Sequence, residues 1–411
     1  MLSSAEDKSA IENALGISLP EVGATEAVLD FTSLLPQLMT NKGATVTSTI
    51  EVDVKANNRW ASEDATVNRV YTLKCNKPEF SIVTNPGNFW CKEFSVDSCD
   101  IKTGDIETIS QKIQYQYRKK GDEQWINCDR LVQFDDYPVD KQYQIRAVYR
   151  EGIETEPVDV MLETPQQLPN SDMEEWYIEE KKKSGTWPFK DKTYYTFHPY
   201  AEGNASSSWW ATNNDKAQGG TYALGIWYEG CFASCVSYTE DAHGGTKAAL
   251  MYLSGCGDDY ANTAGTYVGG AMVGSLFIGT YDSGIIQGHD FDSRPTSMSF
   301  WYKYKPYNSD AFKVVVSLKN GDWEIATGTY EPAASSEEDG EYGHATVDFN
   351  YTEPFEKATS ICVQFLASNK TSLSQSDFDL GTTITYPVIG DWTVHMGSIL
   401  KIDDISLAFD K

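Results

Sequence analysis

The feature that most constrains the fold of this chain is an alternation of apolar and polar residues with a period of two. Two clear examples are the strings QYQIRAVY and SMSFWYKYK, whose apolar positions are Tyr143, Ile145, Ala147 and Tyr149, and Met298, Phe300, Tyr302 and Tyr304. Successive side chains of a β-strand point to opposite faces of a sheet, so this period indicates half-buried strands. Similar strings recur between polar turns along most of the chain. The sequence therefore predicts an all-β protein.

A length of 411 residues predicts two to three domains. Residues 1–74 contain one predicted helix, over 5–15, and a small β-unit that we interpret as part of an Ig-like domain. Residues 75–165 have the short strands of a β-sandwich. The string ETPQQLPN, which contains Pro165 and Pro169 and has no periodicity, predicts a linker. Residues 166–411 show strands without a helical period, which predicts a two-sheet jelly roll.

The formal net charge of −27 and the pI of about 4.5 restrict the partners of the chain. A surface this acidic repels phosphate backbones, so we expect no nucleic acid partner, whereas neutral polymers such as glycans are compatible with it. The sequence contains no apolar run long enough for a transmembrane helix. Its first residues lack the basic-then-apolar layout of a signal peptide, and we expect that a targeting segment has been removed.

Two parts of the chain resemble known families. The string YQYRKKGDEQWIN, followed by YQIRAVYREGIETEP, resembles a fibronectin type III domain, which implies a spacer module over residues 75–165. In the C-terminal part, four segments occur in a fixed order: LPNSDMEEW (168–176, the opener), YVGGAMVGSLFIGTYD (267–282), RPTSMSFWYKYKP (294–306) and GSILKIDDISLAF (397–409, the closer). Together they resemble the PCMD family, a carbohydrate-metabolism domain of surface lipoproteins from gut bacteria that live on complex glycans.

The PCMD resemblance has consequences for fold, location and partners. It implies a carbohydrate-binding jelly roll, an extracytoplasmic location at the outer membrane or cell surface, and contact with a membrane only through a lipid anchor. Ser171 and Met173 replace the Gly and Phe that the family has in the opener. Because a methionine side chain fills a phenylalanine pocket well, we expect the fold to be kept.

Acidic residues in the opener and the closer are candidate metal ligands. The first and last strands of a jelly roll commonly lie side by side, so these carboxylates would approach one another. The parity of Leu400 and Ile402 differs from that of Ile405, so we predict a β-bulge at Asp403–Asp404 that turns a carboxylate sideways. Gathered oxygen ligands suit Ca²⁺, and the candidates are Asn170, Asp172, Glu174, Glu175, Asp403 and Asp404. Alternatively, the two aspartates cap the bulge through backbone hydrogen bonds without a metal.

The stretch NASSSWWATNNDKAQGGTYALGIWYEG (204–230) is the richest in aromatic and amide side chains. Adjacent residues of a strand point to opposite faces, so Trp209 and Trp210 cannot both be core residues. We predict that exposed rings stack here on sugar rings while polar neighbours bind the hydroxyls. The predicted sugar-binding residues are Trp209, Trp210, Asn213, Asn214, Asp215, Trp227 and Tyr228. Alternatively, one aromatic residue of each pair packs inside and the other covers a loop.

No catalytic signature accompanies these residues, since the sequence has no GxSxG and no CGSCW-like string. We therefore predict a non-catalytic, cell-surface accessory protein for glycan binding or glycan utilisation, whose partner is a polysaccharide or glycoconjugate. One alternative is an adhesin or fimbria-associated structural protein, in which the same folds serve protein contacts. Another is a glycoside hydrolase with two carboxylates about 5–10 Å apart across the sugar.

Overall fold

The computed structural model describes residues 5–15, 18–19, 46–56, 65–75, 78–150, 153–184, 191–218, 222–223, 226–227, 233–255, 272–282, 284–333, 340–377 and 379–411. These residues form antiparallel sheets with little helix, so the predicted all-β class is confirmed. The chain divides into two compact units. The first comprises Met1–Phe89, Glu93–Phe134 and Val139–Met161, and the second comprises Trp90–Lys92, Asp135–Pro138 and Leu162–Lys411. None of the helices described is long and apolar enough to cross a membrane.

The described part of the first unit contains two short α-helices, α1 (Ala5–Leu15), at the predicted place, and α2 (Ile106–Lys112). Its strands are β1 (Val46–Ala56), β2 (Ala65–Cys75), β3 (Phe80–Val83), β4 (Glu93–Ser95), β5 (Ser98–Ile101), β6 (Gln114–Lys119), β7 (Ile126–Cys128), β8 (Leu131–Gln133), β9 (Gln142–Arg150), β10 (Ile153–Glu154) and β11 (Val158–Met161). β1 and β2 form a hairpin, and β9 lies at the centre of a five-stranded sheet in which it pairs with β6, β10 and β11.

The core of the first unit lies on one face of this five-stranded sheet. Tyr143, Ile145 and Ala147 of β9 are buried, as their alternation predicts. Tyr143 packs in a cluster with Phe94 and Phe134, at ring-centroid distances of 5.8 and 5.2 Å. The described part of this unit is therefore an antiparallel β-structure with an aromatic core, as expected for an Ig-like or fibronectin III-like unit. The predicted division between 1–74 and 75–165 stays a prediction.

Over the described residues of the second unit there is one α-helix, of four residues, α3 (Asn214–Ala217). Its strands are β12 (Tyr177–Lys183), β13 (Lys192–His198), β14 (Trp210–Thr212), β15 (Tyr222–Ala223), β16 (Ile226–Trp227), β17 (Val236–Thr239), β18 (Ala248–Ser254), β19 (Met272–Val273), β20 (Ser275–Tyr281), β21 (Ile285–Gln287), β22 (His289–Asp290), β23 (Ser297–Lys305), β24 (Lys313–Asn320), β25 (Trp323–Tyr330), β26 (Gly343–Asp348), β27 (Asn350–Tyr351), β28 (Ser360–Leu366), β29 (Asp379–Tyr386) and β30 (Gly390–Ala408).

The strand order of the second unit defines its fold. One sheet contains the order β18-β30-β23-β26 and the other contains β20-β28-β24-β25, with further strands at the edges. Along the chain these strands alternate between the two sheets except at the hairpin β24–β25. Two four-stranded antiparallel sheets connected in this way are a jelly roll, which is built from two Greek keys. The predicted jelly roll is confirmed.

The core of the jelly roll lies between the two sheets. The alternating residues that the sequence places inward in β24 are all fully buried, namely Phe312, just before the strand, and Val314, Val316 and Leu318. Between β23 and β30 the register shifts, because Ser299 pairs with Ser406 whereas Trp301 pairs with Asp403. β30 therefore carries one extra residue, and Asp404 has a φ of 45°. The predicted bulge at Asp403–Asp404 is present.

A short segment far upstream in the sequence, Trp90–Lys92, belongs to the second unit. The backbone N–H of Lys92 donates to the carbonyl of Lys411 over 2.7 Å, and Glu163 N–H donates to the carbonyl of Trp90. Cys91 is fully buried in the core of the jelly roll. The jelly roll therefore includes residues that precede its main span.

Candidate ligand-binding surface of the jelly roll

The opener is a structural element of the jelly roll. Met173 is fully buried, so it does fill an interior pocket, and its φ of 51° shows that the chain turns sharply there. Its carbonyl accepts a hydrogen bond from the indole N–H of Trp176 over 2.7 Å. The side chain of Asn170 binds both the N–H and the carbonyl of Glu175. The predicted ligand Asn170 therefore holds the turn of the opener.

The opener and the closer do lie side by side, as predicted, because Ile405 N–H donates to the carbonyl of Ser171 over 2.8 Å. Their carboxylates hold a third segment, residues 243–247, which we call the glycine loop. The carboxylate of Asp403, which is fully buried, accepts the N–H groups of His243 and Gly244 over 2.7 and 3.0 Å.

The glycine loop is also held from the opener. Glu174 accepts the N–H groups of Thr246 and Lys247 over 2.6 and 2.9 Å. A β-carbon at Gly244 would displace the carboxylate of Asp404, and one at Gly245 would displace that of Glu174. The φ of 60° at Gly245 also favours glycine there.

Burial and these contacts oppose each other, and their balance shifts the pKa values of the two anchoring carboxylates in opposite directions. Burial raises the pKa of Asp403, and the N–H donors of Gly244 and His243 only partly offset it. Burial also opposes the ionisation of Glu174, but there the hydrogen bonds from Thr246 and Lys247 outweigh it and lower the pKa.

The six predicted metal ligands do not gather around one point. Asp172 and Glu175 are exposed, and the oxygens of Glu174 and Asp403 accept backbone hydrogen bonds. Over the described residues, no group of three or more histidine, cysteine, aspartate or glutamate side chains is placed to hold a metal ion. The arrangement matches the capping alternative, and the calcium site stays a prediction.

The two adjacent tryptophans of the predicted aromatic platform diverge. Trp210 is 2% exposed and its indole N–H donates to the carbonyl of Pro169 over 2.8 Å, so it belongs to the core. Trp209 is half-buried, and one face of its ring stacks on His289 at a centroid distance of 4.1 Å. The one inward and one outward tryptophan follow the sequence expectation, but Trp209 offers a sugar less free ring surface than predicted.

The prediction that Asn213 and Asn214 read sugar hydroxyls is wrong. Asn214 is 1% exposed; its amide donates to the carbonyls of Phe197 and Val236, and its oxygen accepts Val236 N–H. Asn213, also buried, binds the backbone of Val273 and Ser275. These amides satisfy backbone groups that would otherwise be buried without partners, so none of their polar atoms faces a ligand.

The remaining predicted sugar-binding residues are less informative. Asp215 is exposed and forms an ion pair with Lys181 at 2.7 Å. Trp227 lies in β16, but its side chain is outside the described part of the structure, and Tyr228 lies outside the described residues.

Several other aromatic rings at the surface of the jelly roll are also covered by neighbours. The imidazole of His243 stacks on Trp301 at a centroid distance of 3.8 Å. His198 lies against Tyr177 and Tyr200, at 5.9 and 5.2 Å. These rings stack on one another, which leaves them less surface for a ligand.

Trp323 differs from these residues, since its side chain is 71% exposed. It is the first residue of β25, directly after the turn of the β24–β25 hairpin, and it pairs with Asn320, the last residue of β24. Residues directly opposite each other in a sheet point to the same face, so the indole and the Asn320 amide lie together. Among the described residues, no aromatic ring or cation packs on this indole.

A second loop, residues 352–359, lies against the hairpin tip and adds two side chains. Glu356 accepts a hydrogen bond from the Asn320 amide over 2.9 Å, and Phe355 is 52% exposed. The loop is attached to the hairpin because Thr359 Oγ1 accepts Gly321 N–H over 2.8 Å. We call Asn320, Trp323, Phe355 and Glu356 the hairpin-tip site.

A cluster of buried charged side chains holds the 352–359 loop in place. Arg294, of the RPTSMSFWYKYKP segment, is 1% exposed and donates to the carbonyl of Pro354 over 2.7 Å. Its Nε binds Glu163 over 2.8 Å, and Lys357 Nζ binds the same carboxylate oxygen over 2.6 Å. Burial lowers the pKa of Lys357, and the nearby Glu163 carboxylate only partly offsets this. The loop that carries Glu356 is therefore fixed by an interior salt bridge.

The sequence contains a local signal for one part of the hairpin-tip site. The Asn-Gly turn predicts the hairpin, and Leu318 is the last predicted core residue of its first strand. A tryptophan directly after such a turn lies beyond the core layer, where burial is hard to achieve. The contribution of the 352–359 loop has no comparable local signal.

The solved structures that are similar to this chain include carbohydrate-binding modules. No family model matches the chain, and no curated protein matches it. One similar solved structure is described as a carbohydrate-binding module from the β-sandwich superfamily, at 9% identity over 81% of this chain and 98% of the other, with a TM-score of 0.24. TmCBM61 in complex with β-1,4-galactotriose matches 49% of this chain and 88% of its own, at 12% identity and a TM-score of 0.21.

A third similar structure is a family 43 arabinoxylan arabinofuranohydrolase from Bacillus subtilis. It matches 84% of this chain and 57% of its own, at 8% identity and a TM-score of 0.24. Similarity of this extent carries no argument about what the chain binds. The jelly roll is defined by the strand order itself.

Proposed function

We propose that the jelly roll is a non-catalytic carbohydrate-binding module and that the hairpin-tip site is its ligand-binding surface. The observation that carries this proposal is the exposed indole of Trp323 at the tip of a firmly held hairpin. A bare indole of this size leaves a large apolar area in water, at a cost of about 25 cal/mol per Å². Covering that area with a ligand is therefore favourable.

The chemistry of the neighbours supports a sugar as that ligand. The face of an aromatic ring packs well against the C–H side of a pyranose, while amide and carboxylate groups bind hydroxyls. Asn320 and Glu356 supply an amide and a carboxylate on the same side as the indole. Because they already bind each other, they are ordered before a ligand arrives, which reduces the entropic cost of binding.

The PCMD resemblance extends the proposal to the whole chain. We propose an exported, lipid-anchored accessory protein of glycan utilisation, in which the first unit serves as a spacer. No feature of the hairpin-tip site specifically favours the alternatives of an adhesin or a glycoside hydrolase.

The proposal is tested with the full chain by glycan-array screening followed by calorimetric titration of the best ligand. A hot-spot aromatic contributes about 2 kcal/mol or more, so Trp323→Ala should weaken binding roughly thirtyfold with an unchanged melting temperature. Ile286→Ala is the matched control, because Ile286 is 55% exposed in β21 of the same unit, and it should bind like the wild type. Equal affinity of both variants would overturn the proposal, and so would the absence of any glycan ligand.

A further inference from the structure

We infer that the hairpin-tip site selects glycans without negative charge, so that it binds neutral sugars and rejects uronate- or sulfate-bearing ones. This inference rests on the proposed function and names the ligand class of the same site. It comes from the charges around Trp323 and from the hydrogen bonds that those charges make.

Carboxylates outnumber cations around the indole. Residues 319–324 and 353–359, which form the hairpin tip and the adjoining loop, contain the acidic residues Asp322, Glu324, Glu353 and Glu356 and the basic residues Lys319 and Lys357. All four acidic residues are exposed. A ligand seated on Trp323 therefore lies among several negative charges.

The two lysines do not compensate for these carboxylates. Lys357 Nζ is held by the buried carboxylate of Glu163 over 2.6 Å, so its charge is directed to the interior. Lys319 directly precedes Asn320 in β24, so its side chain points to the face of the hairpin opposite to Asn320 and the indole. Neither lysine is therefore directed at an anionic group of a ligand on the indole.

Glu356 provides the direct discrimination. Its Oε2 already accepts one hydrogen bond from Asn320, and an ionised carboxylate can only accept hydrogen bonds. A sugar hydroxyl can donate to it, whereas an ionised carboxylate or sulfate cannot. Two like charges about 4 Å apart near a protein surface repel strongly enough to lower affinity tenfold or more. The net charge of −27 adds a long-range repulsion of polyanions.

The test compares the full-length protein on matched pairs of probes that differ in charge: fully methyl-esterified polygalacturonate against polygalacturonate, and a β-1,4-glucan oligosaccharide against its C6-carboxylated form. We expect the neutral member of at least one pair to bind, and its acidic counterpart to bind at least tenfold more weakly at physiological salt. In 1 M salt the Debye length falls from about 8 to about 3 Å, so this difference should narrow.

Glu356→Gln separates charge from hydrogen bonding, since the amide oxygen still accepts. This variant should bind the acidic probe about tenfold better than the wild type does. Glu202→Gln removes the same charge from an exposed position outside the site and should leave the discrimination unchanged. An acidic probe that binds the wild type as well as its neutral counterpart would overturn the inference but leave the proposed function standing. A failure of every neutral and acidic probe would overturn both.

Discussion

The guanidinium of Arg294 lies over the indole of Trp90, 3.7 Å from the ring centroid, and both side chains are buried. The same guanidinium binds Glu163 and the carbonyl of Pro354. One arginine of the RPTSMSFWYKYKP segment thus connects the Trp90–Lys92 segment, the start of the main span of the jelly roll and the loop of the hairpin-tip site.

Arg294→Met should destabilise the second unit strongly. Among the described residues it leaves the buried Glu163 carboxylate with Lys357 as its cationic partner, and breaking a buried pair typically costs about 3–5 kcal/mol. Urea unfolding measures the loss. Adding Glu163→Gln to this variant removes the buried charge and should recover part of the stability. A single variant within about 1 kcal/mol of the wild type would contradict a supporting role for Arg294.

Asn214→Ala should lower stability and leave glycan affinity of the folded protein unchanged. It removes the partners of two buried carbonyls and one buried N–H, at a cost of about 3 kcal/mol. The adjacent Asp215→Ala is the control, because Asp215 is exposed and its ion pair with Lys181 is worth about 1 kcal/mol at most. Thermal unfolding distinguishes the two. Loss of glycan binding by a fully folded Asn214→Ala protein would restore the sugar-reading role.

The pH dependence of stability should differ in sign between two aspartates. Burial opposes the ionisation of Asp241. The hydrogen bonds from Lys303 and Lys401 outweigh this effect and lower the pKa of Asp241 below the usual 3.8. A lowered pKa contributes stability above pH 3.8 that disappears as the pH falls through the folded-state value. Asp241→Asn should therefore be destabilising near pH 7 and closer to neutral near pH 2.

Asp403 has a raised pKa, so its contribution has the opposite sign. Its protonated form favours folding below pH 3.8, and this advantage is lost as the pH rises through the folded-state value. Relative to Asp403→Asn, the wild type should therefore lose stability as the pH rises from below 3.8 through the raised pKa of Asp403. Denaturant unfolding at pH values from about 2 to about 7 measures both effects, and parallel curves for the wild type and either variant would contradict the corresponding assignment.

A melting titration with calcium distinguishes the two interpretations of the closer carboxylates. If opener and closer bound Ca²⁺, millimolar calcium would raise the melting temperature by mass action and EDTA would reverse the gain. The capping interpretation gives no change, because the oxygens of Glu174 and Asp403 already accept backbone N–H groups. A reversible rise that is lost in Glu174→Gln would establish the calcium site.

The sequence predicted the fold of the second unit well because a jelly roll depends on strand alternation. The parity of Phe312 to Leu318 reported which side chains are buried, and the parity change after Ile402 located the bulge. Both signals are local, since a strand has only two faces and one of them is apolar.

The candidate site was less predictable because its residues are polar or lie at turns. Nothing local shows that Asn214 binds the backbone of two distant strands, because an amide next to a tryptophan has the same sequence pattern when it faces solvent. Trp323 is separated from Glu356 by the rest of β25 and by β26 and β27. Contacts between such distant segments form only when both sheets of the jelly roll have assembled, so no local pattern in the sequence indicates them.

The position of Cys91 in the core has a consequence for how the chain is made. Its neighbours in that core extend from Leu168 to Phe409, and its contact with Ser293 joins residues 202 positions apart. During synthesis on a ribosome, Trp90–Lys92 emerges long before these partners. Its contacts in the core cannot be completed until the last strand, β30, has also emerged. Such long-range contacts slow folding and leave apolar segments uncovered in the meantime. The nascent chain should therefore depend on a holding chaperone until its last residues have been released.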